Sequence, residues 1–399
     1  MPTTTRRAGT VLAAGFLVAL IGGGSRFAIG LTLKPVADEF NWPRSDLGLA
    51  VLVYFVVTAV FTYWAGKLVD RVSLRLVIGL GIVVSGIGIG LMGFMSQPWH
   101  ALLLYGVLFG IGNGGASVTT VGVMVTRAIP GRAGIVNSLA VSGLTVGQLV
   151  MIAGLAVVLA AVGWRSVFYW LAFVHVVFLL ILLPMIPGER EAKAHAAAPA
   201  AAGMTLREAA RTRQFWLLLV IYAICGVDDF LVTTHVVAFA QDRGVETLLA
   251  GNLLAVMGLM GLFGVLIAGV WSDRSGPKWP TVASFVLRVP VFALICFDQS
   301  PLSIAIFAVV FGMTFIVTAP LTILFVRDAF GMRHLGAISG MITLVHQVFG
   351  GIGAYAGAVI FDTTGEYLMA FVIMLAGTII AVMLSLCLKQ APVIKPASA

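Results

Sequence analysis

Long apolar stretches separated by short polar breaks fill most of this chain. Apolar segments run roughly over 10–37, 44–69, 74–96, 98–126, 131–163, 165–186, 215–241, 246–272, 279–297, 301–327, 332–361 and 365–389. A helix that crosses a bilayer needs about 20 mainly apolar residues. The pattern therefore predicts an all-α membrane protein with twelve transmembrane helices. Several segments exceed the bilayer thickness and should tilt or project beyond it. The first follows Arg6 and Arg7 in the manner of a leader peptide. It is too long for a leader's apolar region and carries Arg26 at its middle, so it reads as a retained first helix.

Composition supports lipid as the solvent. Hydrophobic residues make up 60% of the chain and charged residues 10%, against about 45–50% and 25% in soluble domains. The net charge of +8 is placed by topology. With the N-terminus cytoplasmic, eighteen of the 24 basic residues fall in inside loops and tails, and only Lys34, Arg44, Arg165 and Arg243 fall outside. This is the positive-inside pattern of a multi-pass protein of the cytoplasmic membrane with both termini inside. It accounts for the basic pI without a nucleic-acid partner. Cys225, Cys296 and Cys387 lie in apolar runs, and their spacing fits neither a disulfide framework nor a metal site. Neither metal nor cofactor is expected. The glycine cluster Gly86, Gly88 and Gly90 sits inside an apolar helix with no preceding strand, so it is not a nucleotide loop.

The composition changes over residues 187–214, which read as a flexible cytoplasmic linker with a short amphipathic helix. It separates residues 1–186 from residues 215–399, six spans each. The halves repeat at an offset of about 202: Gly66-Lys-Leu-Val-Asp70-Arg71 recurs as Gly269-Val-Trp-Ser-Asp273-Arg274, and Gly110, Thr120 and Gly163 map to Gly312, Thr322 and Gly365. A shared offset points to duplication. Parallel repeats place a substrate site between the halves near the bilayer midplane.

The G-x-x-x-D-R element resembles the signature loop of the major facilitator superfamily, over nearly the whole chain. The first copy departs from the usual pattern, with Ser73 where Gly is common; the second keeps Gly276. The resemblance implies two pseudo-symmetric six-helix bundles in a monomer, with Asp70, Arg71, Asp273 and Arg274 as a cytoplasmic gating relay. The alternative for the first pair is a solvated surface contact worth under about 1 kcal/mol. Phe40-Asn-Trp42-Pro-Arg44-Ser45, His346-Gln347-Val-Phe-Gly350-Gly351 and Phe361-Asp362-Thr-Thr-Gly365 resemble the bacterial monocarboxylate and oxalate/formate branch. The animal carriers of that branch have an Asp and an Arg in the eighth helix. The matching stretch here, 261–270, has no charge, so that site does not carry over.

Ionisable groups inside the membrane cost about 2.5–3.5 kcal/mol each and need a partner, water or a task. Arg26 maps onto Asp228 under the repeat offset, so the two are expected to face each other across the cavity. A guanidinium fork suits a carboxylate cargo; a purely structural Arg26–Asp228 bridge is the alternative. Asp228 is placed to carry a proton, and His235, two turns along, to relay it. Asp229 points elsewhere and reads as a helix-contact residue. Asn113 and Thr318 belong to small polar stripes on the fourth and tenth helices, and His346 and Gln347 to the eleventh; all four are candidate cargo contacts. Arg288 lies in the peripheral ninth helix and reads as structural as readily as ligand-binding.

These readings predict a secondary transporter of a small organic anion, a carboxylate by its chemistry, coupled to protons or working by exchange. The alternatives are an efflux carrier for apolar or cationic compounds, which Met257 and Met260 would suit, and a non-transporting sensor.

Overall fold

The computed structural model describes residues 2–68, 72–128, 139–186, 203–331 and 334–389. Among these, twelve helices are long and apolar enough to cross a membrane. They are α1 (Ala8–Phe40), α2 (Arg44–Gly66), α3 (Leu74–Phe94), α4 (Pro98–Val125), α5 (Leu139–Val162) and α6 (Trp164–Met185) in the first half. The second half holds α7 (Arg213–Asp242), α8 (Thr247–Ser272), α9 (Lys278–Phe297), α10 (Pro301–Phe330), α11 (Leu335–Thr364) and α12 (Leu368–Leu386). The expected spans are thus present, with described ends shifted by a few residues; the expected start of the fifth, over 131–138, lies outside the described residues. Most of the expected linker lies outside the described residues. Its described end forms one helical turn, Leu206–Ala209, capped reciprocally by Thr205 and Glu208. Met204 N–H donates to the Phe330 carbonyl, which ties this end to α10.

Three helices break near their middles. Helix Pro2–Arg26 gives way to Ala28–Phe40 at Phe27, within α1. In α4 a π-helical stretch, Leu102–Phe109, is followed by a break after Gly115. In α10 the helix Pro301–Phe315 stops and Thr318–Phe330 begins. The α4 and α10 breaks occupy corresponding places in the two halves. Freed backbone groups in lipid must find partners, and they do: Thr120 Oγ1 donates to the Gly115 and Ser117 carbonyls, and Tyr222 donates to the Thr318 carbonyl. The α4 glycines serve packing as well. A methyl group at Gly106 would lie 3.0 Å from Val53, and one at Gly110 3.1 Å from Val57. Small residues of this kind let helices approach closely where no hydrophobic effect drives them together.

The two bundles meet through α1 on α7, α2 on α11 and α5 on α8. One apolar core spans both bundles on the side away from the linker, with Leu31, Val51, Phe55, Phe230, Val236 and Ala354 among its members. Toward the linker face the core forks. One branch belongs to the first half, from Val11 to Ile186, and the other to the second, from Ala209 to Leu388. All described hydrogen bonds and ion pairs between bundles lie at or beyond the middle, on the far side: Lys34–Asp242, Arg44–Asp242, Arg44–Tyr367, Arg44–Asp362, Ser45–Asp362 and Gln148–Leu254. Among the described residues the bundles are therefore joined at the far face and make no hydrogen bond or ion pair with each other at the linker face.

Candidate functional site

Arg26 sits where α1 breaks. Its backbone carbonyl, freed by the break, accepts a 2.6 Å hydrogen bond from Tyr105 of α4. The guanidinium carbon lies 4.5 Å from the Phe27 ring centroid and 5.6 Å from that of Phe230 on α7. Cation–π contacts stabilise a desolvated guanidinium without neutralising it. Nε is buried and has no hydrogen-bond partner. No carboxylate among the described residues forms an ion pair with it. A cavity of about 10 Å³, the scale of one water, adjoins it, lined by Arg26, Phe27, Val51, Tyr105, Phe230 and Thr233 among others.

The expected Arg26–Asp228 couple does not form. Asp228 Oδ2 instead accepts a 2.8 Å bond from Thr378 of α12 and lies 3.6 Å from Arg288 Nη1. Asp229 Oδ1 lies 2.9 Å from Arg288 Nη2. Arg288 is fully buried and also donates to Thr314 Oγ1 and the Thr314 carbonyl. The physical reason is local. α7 runs unbroken through the level at which α1 breaks, so the repeat offset preserves position in the chain but not the direction of the side chain. An arginine in a peripheral helix also requires counter-charges more urgently than one beside a cleft.

Asp229, rather than Asp228, turns toward the interface. Its Oδ2 lies 3.3 Å from His346 Nε2 on α11, and the Cys225 thiol donates to it at 3.4 Å. The His346 ring packs edge-on against Phe230 at 5.4 Å, and Phe230 meets Phe55 of α2 at 4.1 Å. A chain of contacts thus leads from Arg26 through Phe230 to His346, Asp229 and Arg288. Thr318 is buried with its hydroxyl 3.5 Å from Cys225 Sγ. The Asn113 amide nitrogen lies 3.8 Å from where a methyl on Gly22 would sit, one turn from Arg26. Gln347 Oε1 is buried without a partner. Arg26, Asn113, His346 and Gln347 therefore occupy the three helices α1, α4 and α11 near the level of the breaks, with only Thr318 drawn into the second-half interior.

No hydrogen bond among the described residues links His235 to Asp228. His235 Nε2 bonds the Ala354 carbonyl at 2.8 Å and its Nδ1 lies 3.0 Å from Tyr367 Oη. Both contacts belong to the far-face junction. Of the expected gating residues, Asp70, Arg71 and the Asp273 side chain lie outside the described residues, and Arg274 is exposed at the end of α8.

Arg44 organises the far face. Asn41 adopts a left-handed conformation (φ 54°) that ends α1, and Phe40 stacks on Trp42. Pro43 then delivers the chain into α2 with Arg44 turned toward the other bundle. Nη1 and Nη2 bond the two oxygens of Asp242 at 2.6 and 2.9 Å. Nη1 also donates to Tyr367, and the guanidinium lies 3.6 Å over the Phe361 ring. Asp362 accepts from the backbone N–H groups of Arg44 and Ser45, both at 2.8 Å. A carboxylate there satisfies amides that a helix start leaves unpaired. Sequence reasoning missed this junction, although its parts were visible: the motif around Arg44 and the motif around Asp362 meet here.

A family model for the Major Facilitator Superfamily matches residues 15–267 and 221–398. The chain belongs to the Major Facilitator Superfamily. Among the superfamily's members, it is 25% identical over 386 residues to the uncharacterized MFS-type transporter YcxA of Bacillus subtilis, covering 92% of each chain. It is 24% identical over 385 residues to monocarboxylate transporter 11 of Homo sapiens, covering 93% of this chain and 80% of the relative. The hexuronate transporter of B. subtilis is 21% identical over 378 residues, covering 90% and 89%. Solved superfamily folds overlay it closely. A bacterial homolog of the human lysosomal transporter Spinster, in an inward-facing and unoccupied conformation, gives a TM-score of 0.79 at 15% identity, covering 96% of this chain and 97% of that one. The nucleoside transporter NupG gives 0.75 at 12% identity, covering 96% and 98%. The chain is a multi-pass membrane transporter, not an enzyme, and has the two-bundle fold that the sequence resemblance implied.

Proposed function

We propose that this chain is a secondary active transporter of a small organic anion, a carboxylate, across the cytoplasmic membrane. The observation that carries the reading is Arg26: a cationic side chain at the break of α1, with Nε unpartnered and no carboxylate on it. A carboxylate supplies two acceptors to a guanidinium in a fixed geometry. An unneutralised guanidinium at this depth is costly unless water or cargo solvates it. Asn113, His346 and Gln347 supply further polar groups around that point, and the likeness to a monocarboxylate and a hexuronate transporter favours an acidic cargo.

The positive-inside charge count makes the linker face cytoplasmic, so this conformation opens inward. Transport then alternates access by rocking residues 1–186 against residues 215–399 about the central site, within one chain. Asp70, Arg71, Asp273 and Arg274 would secure the cytoplasmic end in the opposite state. Asp228 and His235 serve packing of the second bundle and the far-face junction. The energy source is a proton gradient or counter-exchange.

The test is uptake by proteoliposomes offered a panel of carboxylates, with and without an imposed pH gradient. Arg26→Ala abolishes uptake and Arg26→Lys retains part of it. A normal rate in Arg26→Ala overturns the reading and points to efflux of apolar or cationic compounds, which resistance assays in an efflux-deficient strain would then reveal.

A further inference from the structure

Cys225, Asp229 and His346 bring a thiol, a carboxylate and an imidazole to one point. Cys225 and Asp229 stand four residues apart on α7, on one helix face, and His346 reaches them from α11. Sγ, Oδ2 and Nε2 all lie within 4.8 Å of one another. Two of the separations are 3.4 Å (Sγ to Oδ2) and 3.3 Å (Nε2 to Oδ2). In a tetrahedral zinc site, bonds of about 2.0–2.3 Å put neighbouring donor atoms about 3.3–3.7 Å apart. Two edges of the triangle already have that length.

Charge points the same way. Asp228 and Asp229 are buried beside one buried guanidinium, Arg288. With both aspartates ionised and His346 neutral the cluster is one positive charge short, and buried charge demands compensation. Asp229 Oδ1 lies 2.9 Å from Arg288 Nη2, which leaves Oδ2 facing Cys225 and His346. A dication bound with Cys225 as thiolate brings the cluster to neutrality: the aspartates and the thiolate are balanced by Arg288 and the ion. The His346 side chain is 17% exposed, which gives the ion a way in.

We infer that Cys225, Asp229 and His346 form a binding site for a borderline divalent transition-metal ion of the zinc class, with water completing the coordination. Binding forms metal bonds to Sγ, Oδ2 and Nε2, and the thiol proton leaves to water; no electron moves. The site does not depend on the identity of the cargo, so it stands or falls separately from the transport reading.

Cobalt(II) titrated into purified, full-length protein in detergent provides the probe. The expected result is one ion per chain, with a near-ultraviolet thiolate-to-cobalt band and visible bands of tetrahedral intensity, both bleached by zinc. Cys225→Ser removes the near-ultraviolet band. His346→Gln weakens binding at least about 10-fold, the scale on which even outer-shell changes act. The double variant Cys296→Ser with Cys387→Ser keeps the full spectrum. No band in monodisperse wild-type protein overturns the inference, as does a band that survives Cys225→Ser or disappears with the other two cysteines. Because the wild-type spectrum decides the matter first, a variant that fails to fold does not rescue it.

Discussion

Arg44 and Asp242 join the two bundles by a two-pronged ion pair, Nη1 to Oδ2 at 2.6 Å and Nη2 to Oδ1 at 2.9 Å, with 4% and 19% of their side chains exposed. The pair lies at the face opposite the linker and must part whenever that face opens. In the proposed alternating-access cycle, its strength sets the balance between the two openings.

Breaking it should be visible as exposure. Losing one partner of a desolvated, hydrogen-bonded charge pair costs about 2–5 kcal/mol, which biases a two-state equilibrium at least about 10-fold. A reporter cysteine placed by Phe55→Cys, in the closed far half, should react slowly with an impermeant maleimide added from the far side. Adding Asp242→Ala should raise that rate at least about 10-fold, and an unchanged rate would show that the pair does not hold this face shut.

Arg26 should be dispensable for folding and indispensable for uptake. It has no ion-pair partner among the described residues, so Arg26→Ala leaves no buried counter-charge behind. Size-exclusion profile and melting temperature should stay near wild type while carboxylate uptake falls to background. A large drop in melting temperature would assign Arg26 to structure instead.

Arg288 should behave in the opposite way. Arg288→Gln strands two buried carboxylates and should destabilise the protein by about 3–5 kcal/mol. Adding Asp228→Asn and Asp229→Asn removes the stranded charge and should recover much of the loss, measured as thermal stability in detergent. Independent, additive losses in the triple variant would show that the three residues do not act as a unit.

Gly226 tests the packing of α7 on α11. A methyl there would collide with the His346 carbonyl and lie 3.1 Å from Gly350 N. Gly226→Ala should cost about 1–3 kcal/mol through overpacking, whereas Gly154→Ala, which meets nothing within 4 Å, should be neutral. Equal melting temperatures for the two variants would refute the close approach.

The spans, the duplication and the superfamily were readable in the sequence because each leaves a one-dimensional trace: apolar length, a common offset, a loop motif. Partner choice inside the second bundle was not. Asp228 and Asp229 are adjacent in sequence and both face Arg288, and the rotation of α7 about its axis decides which one also meets Thr378 and which one meets His346. The break in α1 at Phe27 is likewise unmarked by proline, so the depth and direction of Arg26 relative to α7 could not be read from spacing. The far-face junction was half visible, since both of its motifs stood out, but nothing in the chain says that residues 44 and 362 touch.

Asp362 caps the first amides of α2 from the opposite bundle. Each excursion that parts the bundles at that face must leave those amides to water or to a replacement acceptor, and α2 will tend to fray at its start. In the proposed cycle the two directions are therefore unequal: the state open toward the linker keeps this cap, and the outward swing gives it up.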